Sequence, residues 1–148
     1  MKANDDKPKN SGKSKDLFLK IVVFIVAVIA ACAIRFTVSS ADLEGSVHST
    51  MWLGVSFLTG IAGGIIYRKN FFIAGFITTA GFSVSVLLRI VYDLSFIDPT
   101  SHNLFPIELV IWSIMAFIPA VAGAFLAIMI LRLIRKSRSE KQVTKNKS

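Results

Sequence analysis

Four long apolar runs divide this chain, and runs of that kind leave a polypeptide few choices. Leu17 to Ile34 is broken only by Lys20, and Met51 to Tyr67 follows a polar gap; Phe71 to Tyr92 comes after Arg68, Lys69 and Asn70, and Pro106 to Leu133 closes the set. At about 1.5 Å per residue, roughly 20 residues cross a hydrocarbon core of about 30 Å. Backbone inside lipid must satisfy its own hydrogen bonds, so each run is expected to be a helix. Strands of a membrane barrel would instead alternate apolar and polar residues over short segments. The expected fold is all-α, a polytopic membrane protein with an antiparallel bundle of four transmembrane helices at about 17–35, 51–67, 71–92 and 106–133. Pro119 in the fourth run suggests a kink, and the length of that run suggests tilt or emergence of its last turn.

Charge fixes the expected orientation. Of the 148 residues 53% are hydrophobic, and the net charge of +8 sits at the two ends and in the gaps between runs. In a soluble chain such a balance would suggest nucleic acid, whereas basic residues flanking apolar runs set membrane orientation. With the N-terminus cytoplasmic, all of the 17 Lys and Arg except Arg35 and Arg89 lie inside. The outer segments are acidic, carrying Asp42, Glu44, Asp93 and Asp98, with Glu108 close by. Both termini are thus expected in the cytoplasm, with the chain in the cytoplasmic (inner) membrane. Expected partners are the lipid bilayer and a second copy or another membrane protein, with no nucleic acid.

The tails, residues 1–16 and 134–148, are basic and nearly free of apolar residues, and they read as disordered. The stretch RLIRKSRSEK reads as a stop signal, or alternatively as a segment drawn to anionic headgroups. Cys32, in VIAACA, resembles a lipoprotein cleavage box; cleavage there would leave three spans in unchanged topology. The long basic tail before the run favours an uncleaved signal anchor. A single cysteine excludes an internal disulfide.

Small residues recur every four positions in three runs. Ser56, Gly60 and Gly64 form one ridge, Gly75, Thr79 and Ser83 a second, and Ala116, Ala120 and Ala124 a third, joined by Ala27 and Ala31 in the first run. Lipid gives no hydrophobic drive between helices, so smooth ridges that allow close backbone approach are what holds a bundle together. Internal packing is their expected use, and oligomerisation or docking to a partner is the rival one.

Arg89 stands inside an apolar run and must reach water or find a partner. Asp93, at i+4, lies one turn away on the same face. Glu108 opens the fourth helix just after Pro106, where a carboxylate also complements the helix end. Arg35, at the end of the first run, reaches the same depth. Arg35, Arg89, Asp93 and Glu108 are therefore a candidate site for an anionic headgroup, a partner's carboxylate or a proton. The two histidines, His48 and His102, stand one in each outer segment at no metal-ligand spacing, so no metal and no cofactor are expected. No nucleophile elbow, phosphate loop or HExxH stretch is present, which points away from an enzyme.

The arrangement LLRIVYDLSF followed by FPIELVIW resembles that of an uncharacterised family of small four-helix bacterial membrane proteins. The resemblance covers the C-terminal half and implies a four-helix architecture, with no activity attached. The expected role is a non-enzymatic membrane protein acting by helix packing with itself or a partner. The alternatives are a transport subunit that binds a small ligand, lipid or ion at the Arg/Asp/Glu cluster, and an immunity or stress-type protein acting through lipid-facing ridges.

Overall fold

The computed structural model describes residues 11–37, 46–97 and 104–145. It contains four helices in chain order: α1 Ser11–Thr37, α2 Ser46–Ile66, α3 Phe71–Phe96 and α4 Phe105–Lys145. Each holds a stretch long and apolar enough to cross a membrane, over Gly12–Thr37, Ser49–Ile66, Phe71–Phe96 and Phe105–Ser139. Asp42, Glu44, Asp98 and His102 lie outside the described residues, as does the side chain of His48.

All four helices run further than the apolar pattern suggests: α2 begins at Ser46, ahead of Met51, α3 continues past Tyr92 to Phe96, and α1 and α4 are extended most. α1 starts at Ser11, inside the segment read as disordered, and α4 continues through the polar stretch to Lys145. Apolar content marks where lipid begins, whereas a helix propagates as long as each residue adds a hydrogen bond and no breaker intervenes. Lys, Arg, Glu and Gln are good helix formers, and the residues after Leu133 include no Gly or Pro. Pro119 lies within α4 without ending it.

Local signals set the other boundaries. Asn70 caps α3, its side chain accepting from the backbone N–H of Phe72 at 2.9 Å and of Ile73 at 3.4 Å. At the far end of α1, Thr37 Oγ1 donates to the carbonyls of Ala33 at 2.7 Å and Ile34 at 3.0 Å.

The core is narrow because its contact residues are small. A Cβ added at Gly60 would collide with the backbone carbonyl of Ala120, and one at Gly64 would stand 2.7 Å from the carbonyl oxygen of Ala124. From α4, Gly123 presses in turn on the carbonyl of Phe57. Gly75 meets Val121, and Gly81 meets Ala27 at 2.7 Å. The expected ridges of α2 and α4 thus lock into each other, with Ser56, Ala116, Ala120 and Ala124 fully buried. Thr79 is also buried, and Ser83 shares a 2.7 Å hydrogen bond with Ser113 of α4. α2 packs chiefly on α4, α3 on both α4 and α1, and α1 scarcely touches α4 through its backbone. Large apolar side chains such as Phe18, Ile29, Phe76 and Ile118 point outward. Small residues at the helix contacts and many large ones facing outward are expected where the solvent is lipid, while Trp52 and Phe82 fill the interior between the helices.

Candidate functional site

The site is built at the end of the bundle where α1 and α3 finish and α4 begins. The last carbonyls of a helix have no intrahelical donor. In α1 the carbonyl of Arg35 is one of these, and Arg89 Nη1 from α3 donates to it at 3.0 Å. A cation at a helix C-terminus also meets the negative end of the helix dipole. The same guanidinium donates through Nε to Asp93 Oδ2 at 3.0 Å, and its Nε lies 2.9 Å from Asp93 Oδ1. Arg89 and Asp93 are both buried, so each supplies the charge that allows the other to leave water.

Arg35 is more deeply enclosed, at 1% exposure. Its Nη1 lies 3.7 Å from Glu108 Oε1 at the start of α4. Its guanidinium carbon sits 4.8 Å from the ring centre of Trp52 and 4.6 Å from that of Trp112. Among the described residues, Nε and Nη2 of Arg35 meet no hydrogen-bond acceptor. The two indole faces are what compensates their burial, because a desolvated cation over an aromatic face gains about 2 kcal/mol. Trp52 Nε1 donates to the carbonyl of Trp112 at 3.3 Å, which holds the sandwich together. Phe36 and Tyr92 give Arg89 a looser version of the same surround, at 5.4 and 5.8 Å.

All four residues singled out in the sequence come together here, in two pairs. Arg89 pairs with Asp93, and Arg35 with Glu108. Two cations face two carboxylates, so the cluster is balanced. Trp52 and Trp112, the only tryptophans in the chain, were missed by reasoning from charge alone. A signal existed: Trp112 follows Glu108 by four residues, and both tryptophans fall near the ends of apolar runs at the level of Arg35.

The opposite end carries a second, exposed set. Asp16 Oδ2 lies 2.9 Å from Lys20 Nζ, and Asp16 Oδ1 2.6 Å from Lys69 Nζ, which ties α1 to the turn between α2 and α3. The hydrogen bond it donates to the Asp16 carboxylate holds the Lys69 ammonium above the ordinary lysine pKa. Among the described residues, no group of three or more His, Cys, Asp or Glu comes together in a way that would hold a metal ion.

The fold and the buried ion pairs define a class: an all-helical chain whose four apolar helices mark a multi-pass membrane protein. Compared with known proteins, the chain matches no family model, no curated protein and no solved structure.

Proposed function

We propose that this chain is a non-enzymatic protein of a bacterial cytoplasmic membrane, with both termini in the cytoplasm, that acts by packing its membrane-facing surface against a second copy or another membrane protein. The observation that carries this reading is that the charges inside the bundle are spent on one another. Arg89 is taken up by Asp93 and a helix-end carbonyl, and Arg35 by Glu108 and two indoles. Such a cluster works as a clamp on one end of the bundle.

The register of contacts supports an up-down-up-down path. Pairs Gly60–Ala120 and Gly64–Ala124 advance together, as expected for helices of like direction. Those linking α3 to α4, Gly75–Val121 and Ser83–Ser113, run in opposite senses. Lys13, Lys15, Lys20, Arg68, Lys69, Arg132 and Arg135 then share one end, which the positive-inside rule assigns to the cytoplasm.

The test compares membrane abundance and complementation of a deletion strain for Arg35→Leu, Glu108→Leu and the double variant. A clamp predicts that either single change lowers abundance and that the double change restores much of it, with function following abundance. Normal accumulation with lost function would make the cluster a working site and overturn the clamp.

A ligand-binding reading of the same cluster has one observation in its favour. The Glu108 side chain is 27% exposed, so a proton or a partner's cation can reach it. The immunity-type reading, by contrast, needs small ridges facing lipid, and Gly60 and Gly64 face α4.

A further inference from the structure

α4 outruns the helix it packs on. Gly60 lies against Ala120 and Gly64 against Ala124, so the end of α2 at Ile66 falls near the level of residue 126. α4 nevertheless continues to Lys145. Between its extension and the turn after α2 lies a cavity of about 430 Å³. Ile128 and Leu131 line the part nearer the apolar span, while Arg132, Arg135 and Arg138 stand successively further along α4 and Arg68 lies across from them. Residues 128, 131, 132, 135 and 138 share one helical face, which is why a single helix can supply both floor and rim.

The arginines are held together without a counter-charge among the described residues. Arg68 Nε donates to the carbonyl of Ile65 at 3.0 Å, an orphan acceptor in the last turn of α2, and this fixes its guanidinium at the cavity wall. Among the described residues no carboxylate lines the cavity, and none stands within ion-pair distance of the four guanidinium groups. The basic set nearby differs in this respect, since Lys20 and Lys69 share Asp16. Four neighbouring cations repel one another, and an anion seated among them removes that repulsion while gaining forked hydrogen bonds.

The geometry points to a binding site for the phosphate of an anionic phospholipid, its headgroup among Arg68, Arg132, Arg135 and Arg138 and the start of its acyl chains on Ile128 and Leu131. An apolar floor grading into an arginine rim matches a lipid at the membrane surface, where the headgroup phosphate lies just outside the hydrocarbon. The cytoplasmic leaflet as the lipid's source rests on the orientation proposed above. The binding chemistry itself does not.

Native mass spectrometry of the full-length protein in neutral detergent, with added phosphatidylglycerol or phosphatidylcholine, tests the site. Phosphatidylglycerol is expected to be retained in preference, with retention falling roughly fivefold for each arginine lost in Arg132→Gln and Arg135→Gln. Arg132→Lys/Arg135→Lys should keep part of the binding, and Lys13→Gln/Lys15→Gln, with the same loss of charge elsewhere, should keep all of it. Helicity by circular dichroism confirms that each variant is folded. Equal retention of the two lipids, or equal loss in the Lys13/Lys15 variant, overturns the site. Displacement of the lipid by millimolar glycerol phosphate or inorganic phosphate makes the ligand a soluble anion and overturns the lipid assignment. Labelling of a cysteine placed near the C-terminus with an impermeant maleimide separately reports orientation, so a failed orientation and a failed site give different results.

Discussion

Arg35 touches all four helices: its own α1, α2 through Trp52, α4 through Trp112 and Glu108, and α3 through the carbonyl that accepts from Arg89. Its removal should therefore be felt beyond one pair. Arg35→Leu leaves Glu108 without its cation and opens the indole sandwich, and thermal unfolding in detergent should show a loss of about 3–5 kcal/mol. Arg35→Lys keeps the charge but not the flat face that stacks on two rings, so only part of that loss should be recovered. For the neighbouring pair, Arg89→Leu should cost a similar amount, and Arg89→Leu/Asp93→Leu should restore most of it, since well-packed apolar residues often replace a buried ion pair without penalty. An equal loss in single and double variants would sink the pairing. At the other end, Lys69 titrates above the ordinary lysine value because its ammonium donates a hydrogen bond to the Asp16 carboxylate. A raised folded pKa gives a contribution that is full below about pH 10.4 and fades as pH rises through the folded value. Unfolding scans of the parent and Asp16→Asn should thus differ by a small amount at neutral pH, because this pair is exposed, and converge at strongly alkaline pH, where Lys69 loses its proton, and again in acid, where Asp16 gains one.

Among the elements, the α2–α4 contact depends most on residue size. Gly60 and Gly64 abut the backbone of Ala120 and Ala124, whereas a Cβ at Gly54 would meet nothing within 4 Å. Gly60→Ala should force the helices apart at about 1–3 kcal/mol, while Gly54→Ala should leave the unfolding midpoint unchanged or raise it. The four-residue spacing of Ser56, Gly60 and Gly64 made this ridge legible, and so were the element types, because runs of that length in lipid admit only helices. Which ridge meets which was not legible: Ala27 faces Gly81, while Val121 rather than a small residue fills the notch at Gly75. Ridge spacing marks a face and carries no information about the identity of its partner.

For the whole molecule, the proposed orientation makes a direct prediction. In a Cys32→Ala background, cysteines at Lys13 and Lys145 should react with an impermeant maleimide only after the membrane is opened, while one at Thr50 should react in intact cells. Labelling at Lys13 in intact cells would reverse the proposal. The same experiment bears on α4, whose 41 residues span about 60 Å, twice the hydrocarbon core. Its basic last turns must then stand in water or among headgroups, where the arginine cavity lies.

The sequence by itself determined the number of helices, their apolar extents and the depth at which Arg35, Arg89, Asp93 and Glu108 would meet, because hydropathy and helical rise are local quantities. Tertiary structure decided the rest. Depth places four charges at one level, but only the packing of α1 between α2 and α3 turns Arg89 onto the carbonyl of Arg35 and Arg35 between Trp52 and Trp112. The arginine cavity likewise needs two distant segments, the turn at Arg68 and the end of α4, to stop at different heights. Azimuth around a helix and the offset between helix ends are properties of pairs, and no single run of residues encodes them.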